Sequence, residues 1–108
     1  MTAHDARVVT VFRSRLRPEA TAEYEELAPR MLALAESMPG FVDAKTFTAE
    51  DGERVTVVTF ESLATHRAWR DQPEHGGAQR AGRERLYAHY RIQVCTELST
   101  RDFAAPER

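Results

Sequence analysis

The chain of 108 residues contains a single cysteine, Cys95, so no disulfide can form within it. Cys95 sits in a run of alternating apolar residues and is expected to be a buried, inert thiol. Nothing in the sequence places a base beside it to make it a nucleophile. Long apolar runs are also missing. No stretch approaches the roughly 18 residues of a membrane span, and the opening MTAHDARVV lacks the apolar core of an export signal. A cytoplasmic protein with no membrane partner is expected. Nor is there an excess of basic charge: a net charge of −2 and a pI of about 6.1 argue against a nucleic-acid partner. Arg80, Arg83 and Arg85 cluster, but Glu84 interrupts them, and they read as a solvated helix face. EHGGAQ has neither the glycine spacing nor the lysine of a phosphate loop, and no dinucleotide fingerprint. One cysteine and scattered histidines do not supply the three or four converging ligands of a zinc site, so no metal is expected.

What is present suits one globular domain, 42% hydrophobic and 30% charged, with no internal repeat or linker. RVVTVFRSRL (7–16) is rich in β-branched residues and reads as a strand. Pro18 opens a helix at a position proline tolerates. Tyr24, Leu27, Met31, Leu34 and Met38 then recur at spacings of 3, 4, 3 and 4 residues, an apolar stripe that ends at Pro39-Gly40. FVDAKTFTA (41–49) and ERVTVVTF (53–60) read as strands joined by a turn at EDG (50–52). Ser62 can cap a short helix running to about Arg70. Pro73 breaks that helix, and a second helical segment is expected over 74–87. HYRIQVCTEL (89–98) is the last strand, followed by the polar tail STRDFAAPER.

The order β-α-β-β-α-β is that of an α+β, ferredoxin-like fold, an antiparallel four-stranded sheet with its helices on one face. Which strand parity meets the helices is not fixed by the pattern. Phe12, Val57 or Val58, and Ile92 are candidates for the face away from them. Strands one and three carry valines on both faces, so both faces call for a cover. A second copy of the sheet, in a homodimer with two-fold symmetry, is the simplest one.

PGFVDAKTFTAEDGERVTVVTFESLATHRAWRDQPEH (39–75) resembles the antibiotic biosynthesis monooxygenase superfamily. The likeness lies in the Pro-Gly-aromatic turn, a strand ending in an aromatic-acidic-serine step, a short helix carrying Trp69, and the following Glu74-His75. It extends over about 7–97 and implies a dimeric α/β barrel joined through the sheets. Two branches of that superfamily imply different site residues. In the haem-degrading branch, the residue ten positions after the tryptophan is histidine and the first strand carries an asparagine. Here these positions are Gln79 and Phe12. In the cofactor-independent, quinone-forming branch, the matching positions are Trp69, Thr65, His75 and a site near His89, of which only the tryptophan is identical. Oxygenation of an aromatic, polyketide-like small molecule by O2 without a cofactor is the function this implies. Non-catalytic small-molecule binding is the alternative, with haem binding or degradation a further one.

Such chemistry needs an apolar slot for an electron-rich ring, a base, and a proton donor. Histidine suits the proton steps, and His75 and His89 are the candidates. Trp69 can be a stacking wall or a core anchor. His75, Gln79, Gly82 and Leu86 recur at 4, 3 and 4, which places them on one helical stripe, with Gly82 permitting close approach. Phe12, Trp69 and Leu86 would close the cavity, with Thr65 and Gln79 reaching the substrate. His66 and Trp69 are three apart and hence neighbours, but His66 is expected at the surface, and Tyr24, Tyr87 and Tyr90 are expected to be packing residues. His89 and Tyr90 point to opposite sides of their strand, so only one can face a given cavity.

Overall fold

The computed structural model describes residues 6–107; MTAHD, part of the stretch read for an export signal, and Arg108 lie outside them. The elements are β1 (Val8–Leu16), a 3-10 turn (Pro18–Ala20), α1 (Thr21–Ser37), β2 (Phe41–Thr48), β3 (Arg54–Phe60), α2 (Leu63–Arg70), α3 (Pro73–Ala81), a π turn (Gly82–Leu86) and β4 (Tyr87–Thr96). The strands form one antiparallel sheet in the order β2-β3-β1-β4. This is the ferredoxin-like α+β arrangement. The strand alternation, the hairpin and the break at Pro73 lie where the sequence places them. No helix among the described residues is long and apolar enough to cross a membrane.

Burial fixes the parity. In β1, Val8, Thr10 and Ser14 are buried while Val9 and Val11 are only half-buried, and in β3 Val58 and Phe60 are buried. Even-numbered positions therefore face the helices. Phe12, Val58 and Ile92, candidates for the opposite face, lie on the helix side with α1 residues across from them. Of that group only Val57 lies outside, paired with Val11, beside the pairs Val9–Thr59 and Arg13–Val55. Hydrophobicity is a poor guide to parity here, because the inward row of β1 carries two hydroxyls and the outward row two valines. Cys95 pairs with Val9 on the outer face and is exposed, not buried.

The core is built on Ala35 of α1, Val58 and Phe60 of β3 and Trp69 of α2, with Met38, Phe41 and Ala44 packed against it. Phe60 has no exposed surface, and its burial contributes about 3 kcal/mol. The turn into β2 depends on Gly40. Its φ is +84°, and a Cβ there would lie 2.4–2.7 Å from the Thr65 side chain. Thr65 in turn closes a capping box with Ser62 at the start of α2. The Pro-Gly-aromatic motif thus seats the helix that carries His66 and Trp69.

The second helical segment is not continuous to residue 87. At Gly82–Leu86 it widens to a π turn, closed by the Tyr87 N–H donating to the Gly82 carbonyl. The Arg17 N–H holds this turn to the end of β1 through the Leu86 carbonyl at 2.8 Å. A Cβ on Gly82 would lie 2.7 Å from the Tyr87 ring, so the close approach expected at this glycine is present. After β4 the chain leaves the body as an arm, with Leu98 97% and Phe103 88% exposed.

Candidate functional site

A cavity of about 640 Å³ lies between the sheet and the helices. Its floor is the inward row of the sheet, with Thr10 and Phe12 of β1, Val58 of β3, and Ile92 and Val94 of β4. Its roof is the stripe of α1, with Tyr24, Leu27 and Met31 joined by Leu32 and Ala35. One end is closed by His66 and Trp69 of α2 and by His75 and Gln79 of α3.

The other end is aromatic. Phe12 meets Tyr87 edge-on at 5.3 Å and Tyr90 at 5.6 Å, and Tyr24 meets Tyr87 at 6.5 Å. The three tyrosines pack on their neighbours, as expected, and also line the cavity. Burial, with the neighbouring Tyr24, pushes the Tyr87 phenol up to about 12. It stays protonated near neutral pH and can act only as a hydrogen donor or neutral acceptor there.

Trp69 is 8% exposed and belongs to the core. Phe60 stacks on its indole at 5.1 Å with the planes 24° apart, and the His75 ring lies 4.4 Å away. A flat wall for substrate stacking is therefore not what Trp69 presents. Its indole N–H is buried and has no hydrogen-bond partner among the described residues.

His75 is half-buried, and its Nδ1 lies 3.3 Å from the Arg70 carbonyl. A carbonyl can only accept, so Nδ1 carries the proton and Nε2 keeps its lone pair. Burial lowers the His75 pKa below the ordinary 6.5, partly opposed by that hydrogen bond. The imidazole is thus neutral near pH 7, the state a general base needs.

The remaining candidates separate. Phe12 and Gln79 line the cavity. Thr65 does not: its hydroxyl is engaged with Ser62 in the helix cap. Leu86 is 1% exposed and packed in the core, because the π turn breaks the helical periodicity that put it on the His75 stripe. His89 is exposed and pairs with Arg15 on the outward row of β4; its neighbour Tyr90 takes the cavity side. His66, expected at the surface, is 3% exposed and lines the cavity. The i, i+3 relation to Trp69 was the signal for it, outweighed by the charged residues around it. Thr10, also 6% exposed and on the cavity floor, has no comparable signal in the sequence. Among the described residues no group of three or more His, Cys, Asp or Glu side chains could hold a metal ion.

The profile of the antibiotic biosynthesis monooxygenase family matches residues 7–81. The chain belongs to this family. YqjZ of Bacillus subtilis, an uncharacterised protein, is 33% identical over 81 residues, covering 75% of this chain and 71% of YqjZ. SnoaB of Streptomyces nogalater, described as a cofactor-independent oxygenase, has the same fold with a TM-score of 0.75 at 24% identity, over 88% of this chain and 96% of SnoaB. Rv0793 of Mycobacterium tuberculosis superposes with a TM-score of 0.80 at 19% identity, over 90% and 100% of the two chains. Family membership places the chain among proteins in which SnoaB-like oxygenation and unassigned activities share one scaffold, so the chemistry must be argued from the cavity.

Proposed function

We propose that this protein is a cofactor-independent monooxygenase that oxidises an aromatic, polyketide-like small molecule with O2. The observation that carries the reading is a neutral His75, its Nε2 without a hydrogen-bond partner among the described residues, set at the edge of a half-open, mainly apolar cavity. The family and the description of SnoaB supply the reaction class.

The steps follow from the residues. The cavity holds a planar substrate with an acidic C–H between aromatic rings, such as an anthrone. His75 Nε2 removes that proton, and the resulting carbanion, delocalised as an enolate, reduces O2 by one electron. Recombination of the two radicals and protonation by His75 gives a hydroperoxide. Loss of water then leaves a carbonyl, so that CH2 and O2 become C=O and H2O. No further reductant enters this balance. The lining around the carbanion is mainly apolar. Oxygen uptake with an anthrone, compared with the uncatalysed rate, tests the proposal, and His75→Ala should remove the excess rate.

The same reading makes the chain a cytoplasmic homodimer joined through its sheets. Val9, Val11, Val55 and Val57 on the outer face, with the exposed Leu98 and Phe103 of the arm, are apolar surface that a second copy would cover. Sedimentation at several concentrations tests it. Haem is the less favoured ligand, since Gln79 and Phe12 occupy the two positions where the haem-degrading branch has histidine and asparagine. A haemin titration without a Soret shift would dispose of it.

A further inference from the structure

His75 is held from two helices at once. Its Nδ1 lies 3.3 Å from the carbonyl of Arg70, the last residue of α2, while its backbone belongs to the first turn of α3. Only Asp71 and Gln72 separate the two helices. The meeting of the imidazole with that carbonyl is therefore set by how this short link is folded.

Gln72 bonds to both helices. Its N–H donates to the Trp69 carbonyl of α2 at 3.2 Å. Its side-chain Oε1 accepts from the Glu74 N–H at 2.6 Å and from the His75 N–H at 3.2 Å. Pro73, the first residue of α3, has no N–H, so these are the first two donors that the helix offers. Serine, threonine, asparagine and aspartate are the usual residues at such a cap. Here the neighbouring Asp71 is drawn to the Arg70 guanidinium at 3.0 Å, and the longer glutamine side chain reaches both donors. Gly76 and Gly77 follow His75 directly and give this turn little helical preference of its own. The cap consequently fixes the turn that carries His75.

We propose that Gln72 is a positioning residue, which holds His75 so that its Nδ1–H meets the Arg70 carbonyl and its Nε2 keeps the lone pair a base needs. This rests on reading His75 as the base of an oxygenase. Gln72 does not itself line the cavity, so it acts through His75. Histidine free in water favours the Nε2–H form, in which Nε2 cannot take a proton. The Arg70 carbonyl, at the negative end of α2, selects the opposite Nδ1–H form. That selection lasts only while ring and carbonyl are held together. The Trp69 ring packs 4.4 Å from the imidazole, but its indole N–H has no partner among the described residues and does not select a tautomer.

Gln72→Ala and the near-isosteric Gln72→Glu test this, by turnover of anthrone and by the imidazole nitrogen shifts of His75 in NMR at mildly alkaline pH. The His75 signals are assigned by their loss in His75→Ala. Wild-type His75 should be in the Nδ1–H form. Gln72→Ala should lower kcat about tenfold with KM nearly unchanged, and move His75 toward the Nε2–H form. Gln72→Glu keeps an acceptor oxygen at the same reach, with a charge that a helix N-terminus favours, and should restore both. A Gln72→Ala protein that melts lower yet keeps the wild-type tautomer and kcat has lost a helix cap only, which would overturn the proposal. A raised KM at constant kcat would overturn it too, by placing Gln72 against the substrate. If the wild-type protein does not turn over anthrone, the oxygenase reading fails, and the nitrogen shifts alone decide whether Gln72 orients the ring.

Discussion

Gly40→Ala and Gly52→Ala, compared side by side, separate two costs that are combined at the turn before β2. Both glycines have positive φ, +84° and +90°. An alanine forced into that region loses about 1–2 kcal/mol at either site. The surroundings differ. A Cβ at Gly52 meets nothing within 4 Å, whereas at Gly40 it lies 2.4 Å from Thr65 Cγ2 and 2.5 Å from its Cβ. Relief of that overlap costs about 1–3 kcal/mol more. Gly40→Ala should thus lose about 2–5 kcal/mol in all and Gly52→Ala about 1–2. At about 4–8 °C per kcal/mol for a domain near this size, Gly40→Ala should melt at least about 5 °C below Gly52→Ala at equal protein concentration. Thr65 caps the helix that carries Trp69, so only Gly40→Ala should shift the tryptophan emission. Equal melting losses in the two variants would refute the idea that the Pro-Gly-aromatic turn seats α2 through Thr65.

Other outcomes follow from the same structure. His75→Ala should lower turnover about 10²–10⁴-fold, and the wild-type rate should fall as pH drops through a pKa below 6.5; an unchanged rate removes His75 as the base. Burial lowers the pKa of His66 and of His75 beneath 6.5, so the unfolded chain takes up protons first on acidification. Stability should be full above about pH 6.5 and decline progressively below it, a decline that His66→Phe should flatten in melting curves and that a rising melting temperature would contradict. Cys95 is exposed on the outer face in the single chain, so a sheet-to-sheet dimer should react with a thiol reagent more slowly as protein concentration rises. A rate independent of concentration, in a protein that sediments as a dimer, would place the interface elsewhere.

The strands, the hairpin and the break at Pro73 are legible in the sequence because each rests on local chemistry: β-branched runs, Asp-Gly, and a proline without an N–H. The side of the sheet that carries the cavity is not, because its inward row includes Thr10, Ser14 and Thr56, and the outward row is as apolar. Leu86 is lost from the site through the π turn, whose wider hydrogen-bond spacing a helical count cannot register. Trp69 and His75 stand out in the sequence by their motif, but the role of Trp69 depends on what stacks on it, and only the fold brings Phe60 there. His66 is the instructive case: Arg67 and Arg70 make its helix look solvent-facing, yet its three-residue offset from Trp69 turns it inward.

The central claim is that this cavity oxidises an aromatic substrate with O2 alone. Oxygen uptake and quinone absorbance, followed together with an anthrone in the presence of a metal chelator and without added flavin, test it most directly. The expected result is a rate well above that of the uncatalysed reaction, one O2 consumed per quinone formed, and loss of the excess rate in His75→Ala. No rate above the uncatalysed one from well-folded protein that binds the substrate would contradict it and leave a binding protein on the same scaffold.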